Sequence, residues 1–216
     1  MKRLLPEHIV DVVFDVGANI GQWSEELAFR LPESRIYAFE PVSATFRELR
    51  RNTARIEGII CEQLALGSDV GRGEMALEAD SDMCYLRGKG STCGDGARSE
   101  YVEVGTIDEF CHSRDIEHIA YLKIDTEGGD LEVLRGAARM LETQSIDLVQ
   151  VEAGMNPSNT RHVPFELLKE LLQSKGYFLF GIYEQVREWP EGKPYLRRAN
   201  PVFVSKTLGN SCVGAK

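Results

Sequence analysis

Carboxylates in this chain recur directly after short apolar runs. Asp15 follows V-V-F, Glu40 follows I-Y-A-F, Asp125 and Glu127 follow Y-L-K-I, and Glu152 follows L-V-Q-V. Acids brought together in this way can accept hydrogen bonds from hydroxyl groups, take a proton as a general base, or share a cation. They also repel one another, so a cationic or hydroxyl-rich ligand is expected to compensate them.

The stretch D-V-G-A-N-I-G-Q-W, starting at Asp15, reads as a strand ending in a turn on Gly17 and Gly21 and opening a helix. Glu40 lies nineteen residues after Gly21, where an acid can accept hydrogen bonds from both hydroxyls of a ribose. Two cofactor classes use such an acid, NAD and S-adenosylmethionine. The dinucleotide fingerprint needs a second glycine so that the backbone can approach a pyrophosphate. Asn19 fills that slot here, obstructing a pyrophosphate while tolerating a left-handed turn. Asp15 suits the ammonium and sulfonium charges of S-adenosylmethionine and is unfavourable against phosphates. Both features favour S-adenosylmethionine.

Asp125 and Glu127 are close enough to perturb each other and read either as a general base pair or as a cofactor ligand followed by a helix cap. Glu152 is placed to meet substrate hydroxyls. Lys123 reads as a salt-bridge partner of one of these acids rather than a catalytic group. His162, in the loop G-M-N-P-S-N-T-R-H, is either a neutral-pH base or a solvated loop residue. Asp125, Glu127 and Glu152 together can hold Mg²⁺ through oxygen. No ligand spacing demands it, so no metal site is assigned.

Alternating strands and helices must position these groups. Strands are expected at Asp11–Asp15, Arg35–Glu40, Gly58–Leu66, His118–Ile124 and Ile146–Glu152, and at Tyr177–Tyr183 and Pro201–Lys206 near the end. Helices are expected at Gln22–Leu31, at Ser43–Arg55 with Ser43 as N-cap, and from Thr106 with Glu109 as a capping box. Two more are expected at Asp130–Leu141 and Pro164–Lys175. Two further strands, Gly71–Ala79 and Tyr101–Val104, flank the glycine-rich stretch Asp80–Ser99, which reads as a mobile substrate loop or a disordered segment. Residues from Gly209 onward are expected to fray. The pattern predicts one α/β domain over 1–216, a mostly parallel sheet covered on both faces, with ligands at the carboxyl ends of its strands.

The chain has 216 residues and a net charge of −9. An acidic surface disfavours nucleic acid as a partner. Arg47, Arg50, Arg51 and Arg55 on one helix, with Arg197 and Arg198 further on, read as solvated faces. No apolar run is long enough to span a bilayer, and the N-terminus lacks a signal-peptide pattern, so a cytoplasmic, non-membrane protein is expected. Five cysteines, Cys61, Cys84, Cys93, Cys111 and Cys212, form no C-x-x-C and read as free thiols.

In order along the chain, F-D-V-G-A-N-I-G-Q-W-S, Y-A-F-E-P, L-A-L-G, T-I-D-E-F, L-K-I-D-T-E-G-G-D-L-E-V-L-R-G-A and V-Q-V-E resemble the FkbM-type methyltransferases over about two thirds of the chain. The resemblance implies a Rossmann-like class I methyltransferase fold. Its expected sheet has seven strands in the order 3-2-1-4-5-7-6, the last antiparallel, with a hairpin or loop inserted around 71–105. It also implies S-adenosylmethionine-dependent methyl transfer to a hydroxyl of a sugar or other small natural product. Carried over by motif, Asp15, Gly17, Asn19 and Gly21 line the methionine part of the cofactor and Glu40 holds its ribose. Ala65 and Leu66, in the loop after the third strand, flank the adenine, and Asp125 and Glu127 face the methyl group or the substrate. Gly129 and Asp130 depart from the family's usual bulkier residue and glutamate, leaving the role of Asp130 open. An NAD-dependent oxidoreductase and a catalytically silent cofactor-binding partner remain as the alternatives.

Overall fold

The computed structural model describes residues 9–77, 85–86, 98–188 and 192–213. The chain opens with β1 (Val12–Val16), α1 (Gln22–Arg30), β2 (Arg35–Phe39), α2 (Ser43–Thr53) and β3 (Ile59–Glu62). An inserted unit follows: β4 (Ala65–Leu66), β5 (Gly71–Leu77), β6 (Tyr85–Leu86) and β7 (Arg98–Gly105). The alternation then resumes with α3 (Ile107–Ser113), β8 (Ile119–Ile124), α4 (Asp130–Arg135), α5 (Ala138–Glu142), β9 (Ile146–Gln150) and β10 (Ala153–Gly154). The chain closes with α6 (Phe165–Ser174), β11 (Tyr177–Arg187), β12 (Leu196–Ser205) and α7 (Lys206–Val213).

The main sheet runs β3-β2-β1-β8-β9-β12-β11, with β12 antiparallel to its neighbours, which is the expected order. It has eight strands rather than seven, because β10 also pairs with β12. The reason is length: β12 has ten residues and β9 only five, so the first half of β12 finds its partner in the chain just past Glu152.

Alternating residues of β1 face opposite ways. Phe14 joins Tyr37, Phe39 and Phe110 in an edge-on aromatic cluster with ring centroids 4.9–5.6 Å apart. Val13 faces the other side, where Trp23 of α1 and Leu208 of α7 pack with Ile36 and Tyr121. Both faces are therefore covered, which explains why every residue of β1 and β8 is buried.

Other expectations need correction. The expected third strand divides: β3 stays in the main sheet, while β4 turns into a second sheet, β4-β7-β5-β6. The inserted hairpin is present, with β5 and β7 antiparallel. Apart from 85–86 and the first two residues of β7, the expected substrate loop Asp80–Ser99 lies outside the described residues, as do Cys84 and Cys93. Cys61 and Cys111 are free thiols.

The single helix expected over Asp130–Leu141 is two, α4 and α5. At Gly136 a Cβ would lie 2.0 Å from the carbonyl oxygen of Gly67, and a new helix begins where Asp108 accepts the N–H groups of Arg139 and Met140. Thr106 caps α3 as expected, accepting from the Glu109 amide at 3.1 Å. Ser43 is not an N-cap: it is the first residue of α2, and its hydroxyl and N–H are both held by Glu100 of β7. Residues expected to fray from Gly209 continue α7 as far as Val213.

Candidate functional site

The acids converge at the carboxyl edge of the main sheet, but with their own counter-charges. Asp15 is fully buried. Its Oδ2 accepts from Ser24 Oγ at 2.6 Å and its Oδ1 from Lys123 Nζ at 3.1 Å. Lys123 also lies 3.5 Å from Asp125 Oδ2 and 5.4 Å from the Trp23 ring centre. Burial disfavours its charge, yet Asp15 and Asp125 outweigh that and raise its pKa. Lys123 is thus the structural salt-bridge partner expected from the sequence. The Asp15 carboxylate is enclosed, with both oxygens taken by Ser24 and Lys123.

The turn after β1 is held by backbone geometry. Gly17 has φ +78° and a Cβ there would meet the Asp125 carbonyl at 1.9 Å, so the ends of β1 and β8 touch through a position only glycine can occupy. Asn19 adopts φ +49°, the left-handed turn that asparagine tolerates, and Gly21 ends the turn at the start of α1. Glu40 follows β2 with its Oε1 accepting the N–H of Val42 at 2.9 Å. Burial is the main reason its pKa is pushed up to about 7. Ala65 and Leu66 are not in a loop. They form β4, paired with Val104 and Gly105, and their side chains are buried.

After β8 the chain makes a tight left-handed turn, with φ +53° at Glu127 and +103° at Gly128. Asp125 keeps about a third of its side chain exposed, and burial together with Glu152, Glu127 and Asp15 pushes its pKa up to about 6 against the pull of Lys123. Asp130 has a definite place. Its Oδ2 accepts from the hydroxyl of Thr126 at 2.9 Å and its Oδ1 from the backbone N–H of Glu152 at 2.9 Å, so one buried carboxylate fastens the end of β8 to the end of β9. Burial pushes its pKa up to about 7.

His162 is neither solvated nor isolated. It is 7% exposed, with Nε2 lying 2.9 Å from Glu152 Oε2 and 3.6 Å from Glu127 Oε2. Its Nδ1 rests on the side-chain amide of Asn159. Arg161 donates from Nε to Glu127 at 2.6 Å, and Arg198 donates to Glu152 Oε1. Burial alone would raise the pKa of Glu152, but His162, Arg198 and Lys123 hold it below the ordinary value. Arg47, Arg50, Arg51 and Arg55 are solvated as expected, whereas Arg198 is a partner of a buried acid.

Asn159, Arg161, Arg198 and Thr126 are the site residues that sequence reasoning missed. Asn159 and Arg161 sit in the loop with His162, but Arg198 lies 46 residues beyond Glu152 and meets it only because β10 and β12 pair. The compensation expected from a ligand is largely internal. Among the described acids of this edge, Asp125 and Glu127 keep exposed side-chain surface, while Glu40 is buried beside them.

The family described as the Methyltransferase FkbM domain matches residues 15–179. The Hexuronic acid methyltransferase AglP of Haloferax volcanii is 30% identical over 149 residues, 69% of this chain and 59% of that protein. The 31-O-demethyl-FK506 methyltransferase FkbM of Streptomyces tacrolimicus is 29% identical over 154 residues, 58% of this chain and 59% of that protein. The chain thus spans about three fifths of the length of these two relatives. Among solved structures, Aeropyrum pernix fibrillarin, in complex with natively bound S-adenosyl-L-methionine, aligns with a TM-score of 0.50 and 15% identity. The alignment covers 93% of this chain and 69% of that one, a likeness of fold alone.

Proposed function

Because this chain belongs to the FkbM methyltransferase family, we propose that it transfers a methyl group from S-adenosylmethionine to a hydroxyl group of a sugar or another small natural product. The observation that carries this reading is the match over residues 15–179, which contains every acid of the sheet edge together with the turn that carries Asn19. The NAD-dependent alternative requires a glycine where Asn19 stands, and nothing in the family match favours it.

The residues present fit the proposed cofactor. Glu40 is a buried carboxylate that meets the backbone N–H groups of Val42 and Asn19, and such a group is further stabilised by hydroxyl donors of the kind a ribose offers. The turn Gly17–Gly21 has its backbone close to the β8 end and no open slot for a pyrophosphate. S-adenosylmethionine, when bound, supplies an electrophilic methyl group on a sulfonium. The protein's task is to align an acceptor oxygen and accept its proton. Asp125 keeps exposed surface at the edge and accepts the acceptor's hydroxyl hydrogen. Lys123, fixed by Asp15, holds the Asp125 carboxylate in place. His162, with both ring nitrogens in contact and little exposure, is assigned a positioning role rather than that of the free base.

The acceptor is taken to be a small molecule, in keeping with the names of the two relatives and with a net charge of −9 that repels polyanions. No helix among the described residues is long and apolar enough to cross a membrane. A cytoplasmic setting fits the free thiols.

The test is a thermal-shift comparison of S-adenosylhomocysteine with NAD, followed by mass spectrometry of hydroxyl-bearing sugars and polyketides incubated with protein and methyl donor. Stabilisation by S-adenosylhomocysteine and a one-methyl mass gain are expected. Stabilisation by NAD alone overturns the proposal.

A further inference from the structure

The side chains of Glu127, Glu152 and His162 offer three ligand atoms that all lie within 4.8 Å of one another. They come from three separate places: the left-handed turn after β8, the end of β9, and the loop before α6. We infer that this triad is a binding site for one divalent transition-metal ion, of the Mn²⁺ class, beside the proposed methyl-transfer site.

Three observations carry the inference. The first is orientation. Glu152 is 3% exposed, and its Oε2 has no hydrogen-bond partner among the described residues although His162 Nε2 is 2.9 Å away. The contact is close but is not a well-directed hydrogen bond, and through it His162 draws the Glu152 pKa down. A carboxylate oxygen and an imidazole nitrogen with converging lone pairs stand in this relation around a shared cation. Metal bonds of about 2.1 Å place ligand atoms up to about 4.2 Å apart, so the triad closes on an ion with shifts of a few tenths of an ångström.

The second is the support around the three groups. Asn159 Oδ1 accepts the backbone N–H groups of Arg161 and His162, and its Nδ2 donates to the Arg197 carbonyl. The amide is thereby fixed with its oxygen 3.0 Å from His162 Nδ1. Asn159 Nδ2 lies 2.9 Å from the same Nδ1, so either tautomer finds a partner there; the one with its proton on Nδ1 donates to Oδ1 and leaves the Nε2 lone pair for a cation between the two glutamates. Arg198 holds Glu152 by Oε1 and leaves Oε2 facing His162, Arg161 holds Glu127 by Oε2, and Asp130 fixes the backbone of Glu152. Metal-binding histidines and carboxylates are characteristically oriented by partners of this type.

The third is charge. Asp15, Asp125, Glu127, Asp130 and Glu152 are five carboxylates at this edge, faced by three permanent cations, Lys123, Arg161 and Arg198. Acids thus outnumber the permanent cations here, and a divalent ion offsets part of that excess of negative charge. Two oxygens and one imidazole nitrogen suit Mn²⁺, Fe²⁺ or Zn²⁺ better than a purely oxygen-seeking ion. Three protein ligands leave coordination positions open toward the exposed side of Glu127, where an acceptor hydroxyl can bind and become more acidic. From the sequence no metal site is assigned, although Asp125, Glu127 and Glu152 together can hold Mg²⁺; the inferred donor set has His162 in place of Asp125.

The inference is tested on the protein alone, without methyl donor or acceptor, so its failure is distinct from failure of the methyl-transfer reading. Calorimetry with Mn²⁺ and the electron paramagnetic resonance signal of bound Mn²⁺ are expected to give one saturable site per chain. Glu127→Gln and His162→Gln are each expected to weaken it at least about tenfold. With Co²⁺ as probe, the visible absorption spectrum is expected to change in His162→Gln. Glu127 is partly exposed, so Glu127→Gln carries the test if the histidine variant does not fold. Absence of saturable binding of Mn²⁺, Zn²⁺ and Mg²⁺ at millimolar concentration overturns the inference, as does undiminished affinity in Glu127→Gln.

Discussion

Lys123 Nζ lies 3.1 Å from Asp15 Oδ1, joining two neighbouring central strands by an ion pair from which water is excluded on both sides. The pair is more than a local bridge. Asp15 precedes the Gly17 turn, and Lys123 also reaches Asp125, so the turn after β1 and the carboxylate after β8 share one ammonium group.

Replacing Lys123 by Met leaves Asp15 buried without its cation. Breaking a buried pair from one side typically costs about 3–5 kcal/mol. Urea denaturation of Lys123→Met is expected to show a loss of that order, and the double variant with Asp15→Asn to recover a large part of it. A single-variant loss below about 1 kcal/mol would refute this account of the pair.

Glu40 yields a prediction with opposite signs for stability and binding. Its pKa is raised from 4.5 to about 7, chiefly by burial, so the folded protein keeps the proton longer than the unfolded chain does. The contribution of Glu40 to stability is therefore full below pH 4.5 and declines as the pH climbs through about 7. Glu40→Gln removes the buried charge but keeps an acceptor for Val42. Its melting temperature, relative to the unsubstituted protein, is expected to be higher at pH 8 than at pH 5. The same variant is expected to bind S-adenosylhomocysteine about 10- to 100-fold more weakly, the cost of losing hydrogen bonds to a charged acceptor. Equal melting temperatures at pH 8, or unchanged affinity by calorimetry, would contradict the corresponding half.

Gly17→Ala forces a methyl group to within 1.9 Å of the Asp125 carbonyl and places alanine at φ +78°. The backbone strain alone is about 1–3 kcal/mol, and the collision adds to it. Loss of cofactor binding is expected, or of the folded state itself. Gly209→Ala, in α7 with nothing within 4 Å, serves as the contrast and is expected to be neutral or stabilising by up to about 1 kcal/mol. Similar melting temperatures for both variants would show that the β1–β8 contact is not tight.

Asp130→Ala removes the acceptor for the Glu152 N–H and the Thr126 hydroxyl at once. Leaving buried donors unpaired costs about 1–3 kcal/mol. Because the tie positions Glu152 and the turn carrying Glu127 rather than the cofactor edge, turnover is expected to fall more than affinity for the methyl donor. Steady-state kinetics showing the reverse pattern would place Asp130 on the cofactor side.

The turn after β1 and the acids beside it, proposed as the cofactor edge, were the part of the candidate site whose placement was legible. Asp15, Gly17, Asn19, Gly21 and Glu40 are local in sequence, and a turn between a strand and a helix is written in neighbouring residues. The structure changed one detail there: Asp15 is consumed by Ser24 and Lys123. Ala65 and Leu66 were harder to place, because whether a two-residue segment remains in a loop or pairs in a second sheet depends on β7, some forty residues later. Ser43 is a similar case, since the group that holds its hydroxyl, Glu100, comes from the same inserted hairpin.

By itself the sequence determined the alternation of strands and helices, the family, the sheet order and the acids at its carboxyl edge. The alternation and the acids follow from short-range patterns of apolar, glycine and acidic residues, whereas the sheet order followed from the resemblance to the family, carried by its motifs. Only the tertiary structure decided which charge answers which. His162 could not be told from a solvated loop residue, nor Arg198 from a surface cation, until β10 and β12 paired and brought them to Glu152. Ion-pair partners are selected by distance and by exclusion of water, and neither is encoded in the spacing of residues along the chain.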